Sequence, residues 1–114
     1  MVKKFIILPV AITLMFSALQ VGAATKEQLN SIKHIGQLNG VALQCKFLHE
    51  ARRMKLSLVA ALPKRRQLGQ IFDDSTNEAF LVFIKNRSVC PEQQQFTLEV
   101  DAAVADLNKA FAQP

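Results

Sequence analysis

Apolar residues recur at helical spacing along nearly the whole of this chain. Near the C-terminus Phe96, Val100, Val104, Leu107 and Phe111 fall at i, i+4, i+8, i+11 and i+15, with Glu99, Asp101, Asp106 and Lys109 away from the centre of the stripe. That is the buried face of an amphipathic helix. Cys90-Pro91-Glu92 opens it, with proline in the first turn and an acid beside the positive end of the helix dipole. Further upstream Leu29, Ile32 and Ile35 mark another helix, started by Thr25 and Gln28 as a capping box. From Val41 the pattern resumes, with Cys45, Leu48 and Arg52 on one side and Leu43, Phe47, Met54 and Leu58 on a neighbouring one. One helix over 26–61 would be about 54 Å long, whereas a compact domain of this size has a radius of gyration of about 12 Å. Gly36 and Asn39-Gly40 are the natural breaks, so the spacing predicts two helices, 26–38 and 41–61.

Pro63 ends the second of these, because the residue before a proline avoids the α region. A short third helix is expected from Pro63 through Leu68 and Phe72, followed by a polar turn at 73–78. Ser75 and Glu78 then read as a capping box for a fourth helix, 76–86. Its run Ala79-Phe80-Leu81-Val82-Phe83-Ile84 has the composition of a strand, but a lone strand would have no sheet to join. The run is expected to be a central helix buried nearly all round. Asn86 to Val89 is a loop. The fold class is therefore all-α, a small four- to five-helix bundle.

The first residues carry a different message. Lys3 and Lys4 precede an apolar run from Phe5 to Phe16, and a smaller, more polar stretch leads to Val21-Gly22-Ala23-Ala24. This is the succession of a secretory signal peptide, with cleavage expected after Ala23 and, failing that, after Ala24. Ser17, Gln20 and Gly22 interrupt the apolar run before the roughly 20 residues a membrane anchor needs. The organisation is thus a signal peptide, 1–23, and a single helical domain, 24–114. Export to the periplasm makes a disulfide between Cys45 and Cys90, the only two cysteines, the default. Such a bond would pin the start of the last helix to the middle of the second.

The 114 residues carry 14 Lys and Arg against 9 Asp and Glu, and the excess is concentrated. Lys46, Arg52, Arg53, Lys55, Lys64, Arg65 and Arg66 lie within 46–66 with Glu50 as the only acid. Helix dipoles and ordinary surface placement account for two or three such cations. Seven in one segment point to a face for an anion, with Arg52, Arg53, Lys64, Arg65 and Arg66 as its core, unless acids of the last helix fold back onto them.

Other chemistry is thin. His49 follows Cys45 by one helical turn and could join both cysteines at a metal, but a disulfide would consume the thiolates, so no metal or cofactor is expected. His34 stands alone, as an ordinary surface or boundary residue. The acids of 73–78 lack the glycine and terminal glutamate of a calcium loop. Neither nucleophile-elbow, zinc-protease nor phosphate-loop motifs occur, so no enzyme is expected. Trp and Tyr are absent, which disfavours a sugar-stacking platform, and export disfavours nucleic acid.

Two windows, Cys45-Lys46-Phe47-Leu48 and Cys90 followed by Phe96 and Val100, resemble the small periplasmic acid-stress chaperones of the HdeA/HdeB type. The basic middle segment departs from them. That resemblance implies an exported helical domain with one long-loop disulfide and an acid-triggered chaperone activity. The residues themselves point first to a non-enzymatic binding module. It would contact an acidic protein or an anionic envelope component through the basic segment, as an inhibitor, immunity-type or accessory protein. The stress chaperone is the alternative, and a peripheral lipid-contacting protein the second alternative.

Overall fold

A computed structural model describes residues 23–112. The expected signal peptide lies, but for Ala23, outside the described residues. Four helices follow one another: α1 (Lys26–Gln44), α2 (Leu48–Ala61), α3 (Arg66–Lys85) and α4 (Gln93–Phe111). Among the described residues there is no strand, and the protein is all-helical, with Cys45 bonded to Cys90 across a Cα separation of 5.6 Å.

Thr25 caps α1 as expected. Its hydroxyl accepts from the Gln28 amide while the Gln28 side chain accepts from the Thr25 amide. The first break in the chain is not where the glycines suggested. Gly36, Asn39 and Gly40 all lie inside α1, which continues to Gln44. It ends in a Schellman turn, in which the Phe47 amide donates to the Ala42 carbonyl, 2.8 Å, across Lys46 at φ 60°. The left-handed position usually given to glycine is filled here by lysine.

The glycines serve packing instead. A β-carbon at Gly36 would stand 2.5 Å from Ser75 Cβ and 2.9 Å from the Phe72 carbonyl oxygen. One at Gly40 would stand 2.6 Å from the Thr76 carbonyl oxygen and 2.8 Å from the Phe80 nitrogen. Being four residues apart, the two glycines share a helix face, and α3 lies directly on that face, parallel to α1. Asn39 beside them donates through Nδ2 to Thr76 Oγ1, 3.2 Å, satisfying both buried side chains.

This contact also keeps the chain helical through 73–78. The expected short helix, polar turn 73–78 and fourth helix are one continuous helix, α3. Ser75 and Glu78 form no cap. Ser75 and Thr76 face α1, while Asp73, Asp74, Asn77 and Glu78 are exposed. Polar residues that would mark a turn in an isolated peptide are the solvent side of a packed helix.

Around α1 the remaining helices complete the core. Ile32, Ile35, Leu38 and Ala42 of α1 cluster with Met54 and Leu58 of α2, Leu68 and Phe72 of α3, and Phe96, Val100, Ala103 and Leu107 of α4. The α4 stripe is largely as read from the sequence, with Val104 and Phe111 packed at the core's edge. Its first helical residue is Gln93, so Pro91 precedes the helix and Glu92 is the N-cap residue. Phe47 stacks on Phe96 with ring centroids 5.0 Å apart. At the far end Gln28 Nε2 donates to the Ala110 carbonyl, 3.1 Å, so α4 runs antiparallel to α1. The disulfide joins the C-cap of α1 to the loop before α4, rather than the middle of a helix to the start of another.

Among the helices, α3 packs closely only on α1. The run 79–84 is accordingly helical but not buried all round. Leu81, Val82 and Ile84 are 64%, 46% and 52% exposed, because neither α2 nor α4 reaches that end of α3.

Gly40→Ala tests the glycine contact. Its methyl group meets backbone atoms that cannot rotate away, a strain of about 1–3 kcal/mol, while helix propensity returns up to about 1 kcal/mol. The variant is expected to unfold at a lower urea concentration than the parent, and an unchanged or higher midpoint would contradict the packing described.

Candidate cationic site at the junction of α2 and α3

The seven cations of the basic segment do not form one surface. Lys46 occupies the left-handed turn between α1 and α2. Arg52 lies with His49, Leu56 and Ala60 along a shallow depression on α2. Arg53 borders the same depression but reaches across into a network with α4.

Glu50, on the first turn of α2, is almost fully buried at 4% exposure. Its carboxylate accepts from Arg53 Nε at 3.0 Å, from Arg53 Nη2 at 2.8 Å and from the Thr97 hydroxyl at 3.1 Å. Arg53 also donates through Nη1 to Asp101 and through Nη2 to the Thr97 carbonyl at 3.4 Å. Desolvation draws the Arg53 guanidinium down, but its bonds to Glu50 and Asp101 outweigh this and hold its pKa above the ordinary arginine value. Acid from the last helix thus folds back onto one of the expected patch residues. Arg53 is an α2–α4 clamp.

The other four cations converge. The chain leaves α2 at Ala61, and Leu62 is extended at φ −80° and ψ 137°, as a residue before proline must be. Pro63, Lys64 and Arg65 then carry it across to the first turn of α3. This short crossing sets the end of α2 beside the start of α3. Between them lies an open groove of about 470 Å³. Leu58, Val59, Leu62, Pro63 and Phe72 supply its apolar surface, and Lys55, Lys64, Arg65 and Arg66 its rim, with Asp73 the only carboxylate among the described lining residues. Leu58 and Phe72 belong to the core, so the floor is rigid, whereas Val59 projects into solvent at 77% exposure. A charged rim over apolar carbon can hold an anion whose body is apolar.

Gly69 also lines this groove, within the stretch from Pro63 to Phe72 that the sequence marks as helical. Unlike Gly36 and Gly40, it has no heavy atom within 4 Å of an added β-carbon. Among the described residues no contact requires glycine there. Its only signal in the sequence was its presence in a helical pattern, where glycine costs up to about 1 kcal/mol relative to alanine.

Elsewhere the surface is less one-sided. A hollow of about 980 Å³ between the start of α1 and the end of α4 is lined by His34 and by both signs of charge, Lys26 and Lys109 with Glu27 and Asp106. The sulfur atoms of Cys45 and Cys90 are spent on each other, and among the described residues no three His, Cys, Asp or Glu side chains are grouped to hold a metal. No family model, curated protein or solved structure matches this chain.

Removing Arg53 separates its role from that of its neighbour. Arg53→Ala leaves the Glu50 carboxylate buried with only Thr97, a loss of about 1–3 kcal/mol. Arg52→Ala is expected to stay within about 0.5 kcal/mol of the parent. Urea unfolding of the two variants checks this, and equal midpoints would mean that Arg53 does not clamp α2 to α4.

Proposed function

We propose that this protein is an exported, non-enzymatic helical binding module of the periplasm, engaging an acidic protein or an anionic envelope component through the cationic rim of the α2–α3 groove. The observation that carries this reading is the convergence of Lys55, Lys64 and Arg66, from two helices and their connection, on one groove whose described lining holds Asp73 as its acid. Cations gathered around a low-dielectric floor focus a positive potential and raise the local concentration of anions.

The compartment fits. A disulfide marks an oxidising, non-cytoplasmic location, and among the described residues no helix is long and apolar enough to cross a membrane. A leader at 1–23 would deliver the chain there, with Lys3 and Lys4 ahead of the apolar run. The binding surface excludes Arg53, whose charge is engaged by Glu50 and Asp101, and Lys46, which shapes a turn.

The test compares two triple charge reversals of equal size. Lys55→Glu, Lys64→Glu and Arg66→Glu remove the rim, whereas Lys26→Glu, Lys33→Glu and Lys109→Glu alter only distant charge. Retention is measured on poly-L-glutamate beads and on phosphatidylglycerol vesicles at about 0.15 M salt, where exposed charges more than roughly 8 Å apart are screened. At least one matrix is expected to retain the parent, with a tenfold or greater loss for the rim variant, a loss below twofold for the control, and unchanged helical circular dichroism in both. Retention by neither matrix, or an equal loss in both variants, would contradict the reading.

A further inference from the structure

The groove is shaped for more than a charged surface. Its floor of Leu58, Leu62 and Phe72 is continuous with the core, and its volume of about 470 Å³ falls within the roughly 300–1,000 Å³ of single-ligand sites. A protein partner would instead require about 800 Å² of surface on this side, most of it beyond the groove. Leaving Arg65 aside, the rim carries Lys55, Lys64 and Arg66 against Asp73 among its described lining, more than one monovalent carboxylate needs for balance. Arginine and lysine together suit phosphate, the first as a planar fork of donors and the second as a point charge.

Gly69 supplies an independent observation. Within this protein, Gly36 and Gly40 occur where something lies against the helix, namely α3. Gly69 has the same missing side chain, but it is exposed, with open space where a β-carbon would stand, and it lines the groove. A large side chain there would narrow the room left above the floor.

We infer that the α2–α3 groove binds a single-chain amphiphile with a phosphate head, a lysophospholipid of the envelope, with its acyl chain along Leu58, Leu62 and Phe72 past Gly69 and its phosphate held by Lys55, Lys64 and Arg66. This rests on the proposed function and selects the anionic envelope component over the acidic protein. Charge complementarity chooses the head and the apolar floor chooses the tail. Zwitterionic lipids of equal chain length share the tail but not the net charge, and inorganic phosphate shares the head but not the tail.

The probe is 1-oleoyl-lysophosphatidate, titrated below its critical micelle concentration into the oxidised protein by isothermal calorimetry. Saturable binding with one site is expected, at least tenfold tighter than 1-oleoyl-lysophosphatidylcholine and absent for inorganic phosphate. Gly69→Leu adds bulk to the groove lining one helical turn from Arg66, and is expected to weaken lysophosphatidate binding at least tenfold while retention on poly-L-glutamate and circular dichroism stay unchanged. Gly69→Ala serves as a fold control, expected to melt at or above the parent temperature.

The outcomes separate the two levels of the reading. If Gly69→Leu binds lysophosphatidate as the parent does, or if the phosphatidylcholine analogue binds equally well, the groove inference is overturned. Rim reversal that abolishes anion retention while Gly69→Leu does not leaves the cationic surface standing without the groove. Retention of poly-L-glutamate but not of lysophosphatidate assigns the surface to an acidic protein and overturns the lipid. Loss of neither on rim reversal removes both.

Discussion

The close contact between α1 and α3, made possible by Gly36 and Gly40, is the constraint on which the rest of the structure depends. Because α1 is the one described helix on which α3 packs closely, this contact, with the short crossing from α2, sets its position. It brings Leu68 and Phe72 into the core and holds the start of α3 beside the end of α2, where the groove forms. The same one-sided support leaves Leu81, Val82 and Ile84 uncovered at the opposite end. One pair of missing β-carbons therefore has three consequences: a continuous 20-residue helix, a groove, and an exposed apolar tip.

Two covalent and electrostatic ties secure the three remaining helices at the same end. The disulfide closes a 45-residue separation, and such a loop removes about 4 kcal/mol of unfolded-state entropy on the chain-entropy account. That is a large share of the roughly 5–15 kcal/mol by which domains are stable. The Glu50–Arg53–Asp101 network links α2 to α4 just beyond it. A buried carboxylate is costly unless its oxygens are satisfied, and here both oxygens of Glu50 have partners. The network fixes the register of α2 against α4 rather than adding much net stability.

Periodicity made the helical class, the α1 cap and the α4 stripe legible, and the export reading made the disulfide legible. Glycine and cation positions misled in a specific way. Glycine was read as a break, yet Gly36 and Gly40 sit within α1, while the left-handed turns that end α1 and α3 use Lys46 and Arg87 at φ 60° and 50°. The Phe47 and Ser88 amides close both turns onto Ala42 and Phe83. Nothing in the composition of Lys46 or Arg87 announces a positive φ. Likewise, seven cations within 46–66 were visible as a cluster, but which of them share a surface depends on the direction in which α2 presents each. Arg53 faces α4, and Lys55 faces the groove. The four-residue spacing of Gly36 and Gly40 was the signal available for a flat helix face, and it lay unread beneath the stronger expectation of a turn. Gly69 became informative only once its empty surroundings were known.

Glycine amides offer the most direct view of the central claim, because Gly36, Gly40 and Gly69 are the only glycines of the domain beyond the expected leader and resolve well in a nitrogen–proton correlation spectrum. Titration with 1-oleoyl-lysophosphatidate should move the Gly69 resonance progressively to saturation, together with those of Lys64 and Asp73, while Gly36 and Gly40, sealed beneath α3, stay in place. A titration in which Gly69 is unmoved while resonances around Arg52 and His49 shift would place the anion elsewhere and contradict the account.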